Sequence, residues 1–240
     1  MKGSSTASPR YVPFYPQIWD LGAWRESGFA SQEDAHYWQD SSCGVLCLKM
    51  AIEGFLATAI DPISRMIERG EGLGAYAHDT GWSHRGLVNL AQLYGVEARA
   101  RNVLSEKRIK RLLDRGALII VSIKWAFGSE RSLKERILFW RRRGGHLALL
   151  VGYTDKGFIV HHTSITPGYN WEGAVVPFAE FKRGFTGRGI VLKRMFAKGK
   201  LHVRASFLWY DFWIGAYYDR DSKVLYICPL PMCVIKIWRA

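Results

Sequence analysis

Apolar and polar positions change rhythm partway along the chain. Residues 44–60 are apolar nearly all round, with Leu46, Met50, Phe55 and Leu56 on one broad face, which predicts a buried helix. Asp61-Pro62 reads as a cap followed by an N1 proline, opening a second helix that stops at Gly70. Ser83 caps a third helix, carrying Leu87, Leu90, Ala91 and Tyr94 on one side, with Gly95 as its stop. Ser105 opens a basic helix in which Ile109, Leu112 and Leu113 form one apolar stripe, and Gly116 closes it.

After that the period shortens. Residues 117–124 read as a buried strand, followed by a basic helical insertion over 129–143 that holds Phe139 and Trp140. Strands follow at 146–153 and 157–162, joined by the tight turn 154–157. Residues 173–177 and 188–194 read as further strands, with a short helix at 178–184 between them. Helices first and strands later, with an antiparallel look, is an α+β layout. Ahead of the first helix, Val12-Pro13-Phe14-Tyr15-Pro16-Gln17 must be extended because of its prolines, and 18–38 reads as a loop with short turns.

Composition changes after Lys198-Gly199-Lys200. Residues 207–218 are dense in aromatics, 219–223 read as a turn, and 224–228 and 234–238 as strands. The expected organisation is a flexible leader (1–10), one α+β domain (11–197) and an aromatic-rich β-meander appendage (198–240), too small to stand without packing on something. The aromatic tail is a candidate surface for self-association or for a partner.

The chain has 240 residues, 48% of them hydrophobic, enough for a sizeable core. No apolar run reaches the roughly 18 residues that span a bilayer, and the first ten residues lack the apolar stretch of a secretory signal. A cytoplasmic location is the expectation. Reduced thiols then follow for Cys43, Cys47, Cys228 and Cys233. Their spacing argues against zinc, and no cofactor is expected. Net charge is +13. Residues 99–143 carry 14 Lys/Arg against 4 Asp/Glu. Such a stretch is either a solvated helical face or a surface for an acidic protein or nucleic acid.

Two blocks carry chemistry. Ser42-Cys43-Gly44-Val45-Leu46-Cys47-Leu48-Lys49-Met50 places Cys43 at a helix start, where unpaired N–H groups favour a thiolate. Gly145-His146-Leu147-Ala148-Leu149-Leu150-Val151-Gly152-Tyr153 places a histidine on the first residue of an apolar strand. A cysteine nucleophile with a histidine base is the pairing a cysteine hydrolase needs. Cys47, one turn on, reads as core.

With Val12–Gln17 ahead of them and Gly157-Phe158-Ile159-Val160-His161-His162 behind, these blocks make residues 11–194 resemble the C39-like peptidases of the papain-like superfamily. The resemblance implies a papain-like α+β fold, Cys43 as nucleophile, His146 as general base, and a protein or peptide substrate. It also implies an oxyanion-hole Gln six residues before the cysteine. Position 37 is tyrosine, which makes Gln39 the candidate. The family's Asp or Asn that orients the histidine falls at His162, with His161 beside it, and alternation lets only one of the two face the site. Asp155, in the turn, is expected to point away. A neutral imidazole can fix a tautomer but does not stabilise an imidazolium as a carboxylate does. Three readings follow: a cysteine peptidase, a related amidase or acyltransferase, and a weak or inactive papain-fold binding module.

Overall fold

The computed structural model of the chain describes residues 11–124, 127, 145–166, 168–195, 201–207, 214–220 and 224–239. The expected leader at 1–10, the basic insertion at 129–143, Lys198-Gly199-Lys200 and residues 208–213 of the aromatic tail lie outside these. The chain divides into two compact units, Met1–Met195 and Phe196–Ala240.

The first unit is built on a six-stranded antiparallel sheet in the order β3-β8-β4-β5-β6-β7. Its strands are β3 (Val96–Arg101), β4 (Leu118–Ile123), β5 (His146–Tyr153), β6 (Gly157–His162), β7 (Trp171–Pro177) and β8 (Phe185–Arg194). A two-stranded ribbon, β1 (Tyr76–Ala77) with β2 (Gly81–Trp82), stands beside it. The helices are α1 (Gln32–Ser41), α2 (Cys43–Leu56), α3 (Ile63–Gly72), α4 (His84–Leu93), α5 (Glu106–Asp114) and α6 (Phe178–Gly184).

Both faces of the sheet are covered, which explains why β4 has no polar/apolar alternation apart from Ser122. Leu118 and Ile120 join the core formed with α2, α3 and α4. Ile119, Val121 and Ile123 join the core formed with α5 and α6. Leu48, Met50 and Ile52 on α2 are fully buried. Each such side chain contributes about 1.5–3 kcal/mol relative to exposure.

Several expectations need correction. The loop expected over 18–38 contains a 3-10 turn, Leu21–Ala23, and most of α1, which runs on to Ser41. Ser31 caps α1 by accepting from Asp34 N–H (3.0 Å), and only Ala35 and Trp38 are buried on it, too few to show as a stripe. α2 ends at Leu56, short of residue 60, because Ala57 turns left-handed (φ 55°). Pro62 is the N-cap of α3 rather than its first residue, and α3 runs to Gly72. Strand β3 went unread at the sequence level. β7 and β8 begin earlier than expected, at Trp171 and Phe185.

The arm before α1 is pinned along α2. Val12 packs where Gly54 leaves room, a Cβ there lying 3.0 Å from Val12 Cγ2. Tyr15 OH donates to Glu53 (2.6 Å), which also accepts from Lys49 Nζ (2.6 Å) and Ile60 N–H (2.9 Å). Burial would raise the Glu53 carboxyl, but its bonds to Lys49, Tyr15 and Ile60 outweigh that and hold it below the usual carboxylate range. Burial, and then Glu53, push the Tyr15 phenol up to about 12.

The second unit is a four-stranded antiparallel sheet in the order β10-β11-β12-β9. Its strands are β9 (Leu201–Phe207), β10 (Gly215–Asp219), β11 (Val224–Leu230) and β12 (Cys233–Arg239). β9 and β10 were hidden in the sequence. Met232 makes the β11–β12 turn with φ 69°. Cys228 and Val234 are buried there.

Candidate active site

Cys43 is the first residue of α2. Ser42, its N-cap, makes no side-chain capping bond, so the first-turn N–H groups are left to other acceptors. The backbone N–H groups of Leu147 and Gly44 bond the Cys43 sulfur, each favouring thiolate. Burial outweighs them and pushes the thiol above its ordinary value. Gly44 permits the close approach of α2 to β5, since a Cβ there would lie 3.0 Å from both Leu147 Cδ1 and Trp82 Cβ.

His146 opens β5, next to Leu147. Its ring bonds the Thr163 backbone, and its Nε2 is buried with no partner. Burial lowers its pKa to about 4, and the Thr163 bond only partly opposes this. No hydrogen bond joins His146 Nε2 to Cys43 Sγ. The fold thus brings the two residues together through adjacent backbone, with the imidazole neutral.

His162 does not receive the His146 hydrogen bond anticipated for an orienting residue. Its Nδ1–H donates to the Tyr169 carbonyl, and its Nε2 is also buried without a partner. The two imidazoles lie with ring centroids 4.8 Å apart. Burial first, and then His146, lower the His162 pKa to about 4. His161 faces the other way. Its Nδ1 accepts from Gly173 N–H, and its Nε2 donates to the Val12 carbonyl, both at 3.0 Å. Asp155 is exposed in its turn.

Gln39, on α1, donates its amide to the Trp19 carbonyl (3.1 Å), so its expected donor group is occupied. Gln17 is joined to Thr163, whose backbone bonds the His146 ring. It is buried, its Oε1 accepts from Thr163 Oγ1 (3.5 Å), and its Nε2 has no partner among the described residues. Asn170 holds this arrangement by accepting from the backbone N–H groups of Gln17 (3.1 Å) and Ser164 (3.0 Å). Counting back from the cysteine could not find Gln17. The available signal was that an extended, proline-bounded arm ended on a glutamine.

Cys47 is buried, with Sγ 3.6 Å from the Leu147 carbonyl. All four cysteines are free. Among the described residues, no three His, Cys, Asp or Glu side chains are placed to hold a metal ion, and no helix is long and apolar enough to cross a membrane.

No family model and no curated protein matches the sequence. Among solved structures, the chain is similar to a Bacillus anthracis protein described as a C39-like peptidase. The two share 13% identity and a TM-score of 0.52, over 79% of this chain and 98% of that one. A double glycine motif protease from an AMS/PCAT transporter, crystallised with its leader peptide, aligns at 16% identity and a TM-score of 0.46, over 78% of this chain and 95% of that one. The peptidase domain of Streptococcus ComA aligns at 16% identity and a TM-score of 0.45, over 65% and 93%. At these identities the likeness bears on the fold, and the Bacillus structure carries it. The chain has the papain-like α+β fold of the C39-like peptidases.

Proposed function

We propose that the protein is a cysteine peptidase that cleaves a peptide or isopeptide bond. One observation carries this reading: the Cys43 sulfur accepts the N–H of Leu147, and the residue before it, His146, has a buried Nε2 with no partner. Thr163 holds the other ring nitrogen, which leaves Nε2 as a proton acceptor. Cys43 Sγ attacks the scissile carbonyl as its proton passes to His146 Nε2. The Cys43 N–H and the Gln17 amide, in place of Gln39, take the oxyanion. Collapse of the tetrahedral intermediate expels the amine, which leaves with the proton from His146. Water then hydrolyses the thioester, and His146 again serves as base. An amidase or acyltransferase would share every step up to the second nucleophile.

The pH dependence of Cys43 alkylation by iodoacetamide, with and without His146→Ala, joined to peptide-library cleavage, tests this. The expected results are cleavage that vanishes in Cys43→Ala, and alkylation that rises only above the ordinary thiol value of 9.0 in the free protein. Cleavage that survives Cys43→Ala overturns the proposal.

The second reading is a papain-fold binding module. It is favoured by the missing Cys43–His146 hydrogen bond and by a neutral histidine in the orienting position. No cleavage of any library member by the wild-type protein would favour it. A cytoplasmic location remains part of the proposal.

A further inference from the structure

Strand β3 is an edge of the six-stranded sheet, bonded among the described residues to β8 alone. Val96 and Ala98 turn into the core with α4. The alternate residues Glu97, Arg99 and Arg101 face the side that carries α5, and there they line a cavity of about 160 Å³. Arg108 from α5 and Lys193 from β8 complete the charged lining, with Leu112 and Val191 as its apolar part. Four cations therefore meet one carboxylate in a cleft beside a strand edge that no other described strand pairs with. Arg99 pairs with Glu97 (2.9 Å), while Arg101, Arg108 and Lys193 have no ion-pair partner among the described residues.

Charged side chains on an edge strand can simply guard it against pairing. That role needs only Arg99 and Arg101. It does not need Arg108 and Lys193 converging on them from two other elements, where like charges repel one another.

We infer that this cleft is a docking site for an extended acidic peptide that adds to β3 as a seventh strand. The strand edge offers backbone groups to an extended chain, and the cations repeat along β3 at the two-residue period with which a strand presents its side chains. A peptide with Asp or Glu at alternate positions would place each carboxylate against the cleft. No aromatic side chain lines the cleft, so the stacking platform of a single-strand nucleic-acid site is missing. The inference does not depend on catalysis at Cys43.

The test is fluorescence anisotropy on the full chain, with a labelled peptide of about ten residues, the upper end of strand lengths and enough to span β3, alternating Glu with Thr. Arg99→Ala/Arg101→Ala is expected to weaken binding by about tenfold or more, as the loss of two charged contacts would. Glu97→Gln is expected to tighten binding. Arg65→Ala, on α3, is expected to leave it unchanged. On the wild-type protein, the same peptide N-methylated along one backbone edge is expected to lose binding although its charge is the same. Equal binding of the methylated and plain peptides, or an equal loss in Arg65→Ala, overturns the inference. So does displacement of the peptide by polyuridylate or inorganic pyrophosphate at concentrations below those at which the peptide itself binds.

Discussion

His146 and His162 face each other with ring centroids 4.8 Å apart, and the Nε2 of each is buried without a partner. Neither ring can take a proton cheaply in the folded protein. Both pKa values fall from 6.5 to about 4, chiefly through burial. The unfolded chain binds protons at these sites below pH 6.5, and the folded protein does not until about pH 4. Stability present above pH 6.5 is therefore lost as pH falls towards 4. The slope is up to about 1.4 kcal/mol per pH unit for each histidine. Urea titrations across this window check it, and His162→Phe should reduce the slope by about one histidine's share, His84 and His161, whose pKa values burial also lowers, still contributing. A flat profile would mean that the imidazoles are solvated.

Gln17 and Gln39 are separated by a simple comparison. Gln17→Ala should lower kcat by about a hundredfold, the cost of one lost oxyanion donor, with little change in KM. Gln39→Ala removes only an amide bond to Trp19, and should shift the melting point more than the rate. Steady-state kinetics on a cleaved library peptide gives both numbers. A larger kcat loss in Gln39→Ala would return the role to α1.

Gly44 sets how closely α2 can approach β5. Gly44→Ala introduces a methyl 3.0 Å from Leu147 Cδ1 and Trp82 Cβ. Overpacking of this kind costs about 1–3 kcal/mol. It also lifts the Cys43 sulfur from the Leu147 N–H. The expected result is a folded protein, verified by circular dichroism, in which Cys43 alkylation and cleavage change more than the melting point. An unchanged alkylation profile would show that the contact does not tune the thiol.

Lys49 and Glu53 form a buried pair, exposed by only 8% and 4%. Lys49→Met strands the Glu53 charge, and is expected to cost about 3–5 kcal/mol in denaturant unfolding. Adding Glu53→Gln should recover part of that loss, because the uncompensated charge disappears. If the double variant is no better than the single one, the loss lies in packing rather than charge.

The buried elements were the legible ones. α2, α4, β4, β5 and β6 announced themselves through their apolar runs, helped by the Ser83 cap and Gly95 stop around α4 and by the glycines Gly116 and Gly145 ahead of β4 and β5. α1, β3, β9 and β10 did not. α1 buries two side chains, and β3 is an edge strand whose outward residues are the charged Glu97, Arg99 and Arg101. At the site, the Cys43-Gly44 block and the Gly145-His146 block could be read because each is local in sequence. Gln17, Thr163 and Asn170 could not, because their meeting depends on a hydrogen bond across 153 positions of the chain (Gln17 to Asn170).

The position of β8 has a bearing on how the protein is born. It is the last strand of the first unit to leave the ribosome, yet it lies between β3 and β4 and is the only strand joining them. Until Phe185–Arg194 has been made, the nascent chain holds β4-β5-β6-β7 as one piece and β3, with the arginine edge, as another. Closing a loop of that length is entropically slow. The basic cleft, lined in part by Val191 and Lys193, therefore has no existence before synthesis of the first unit is complete, whereas the contact between α2 and β5 can form earlier.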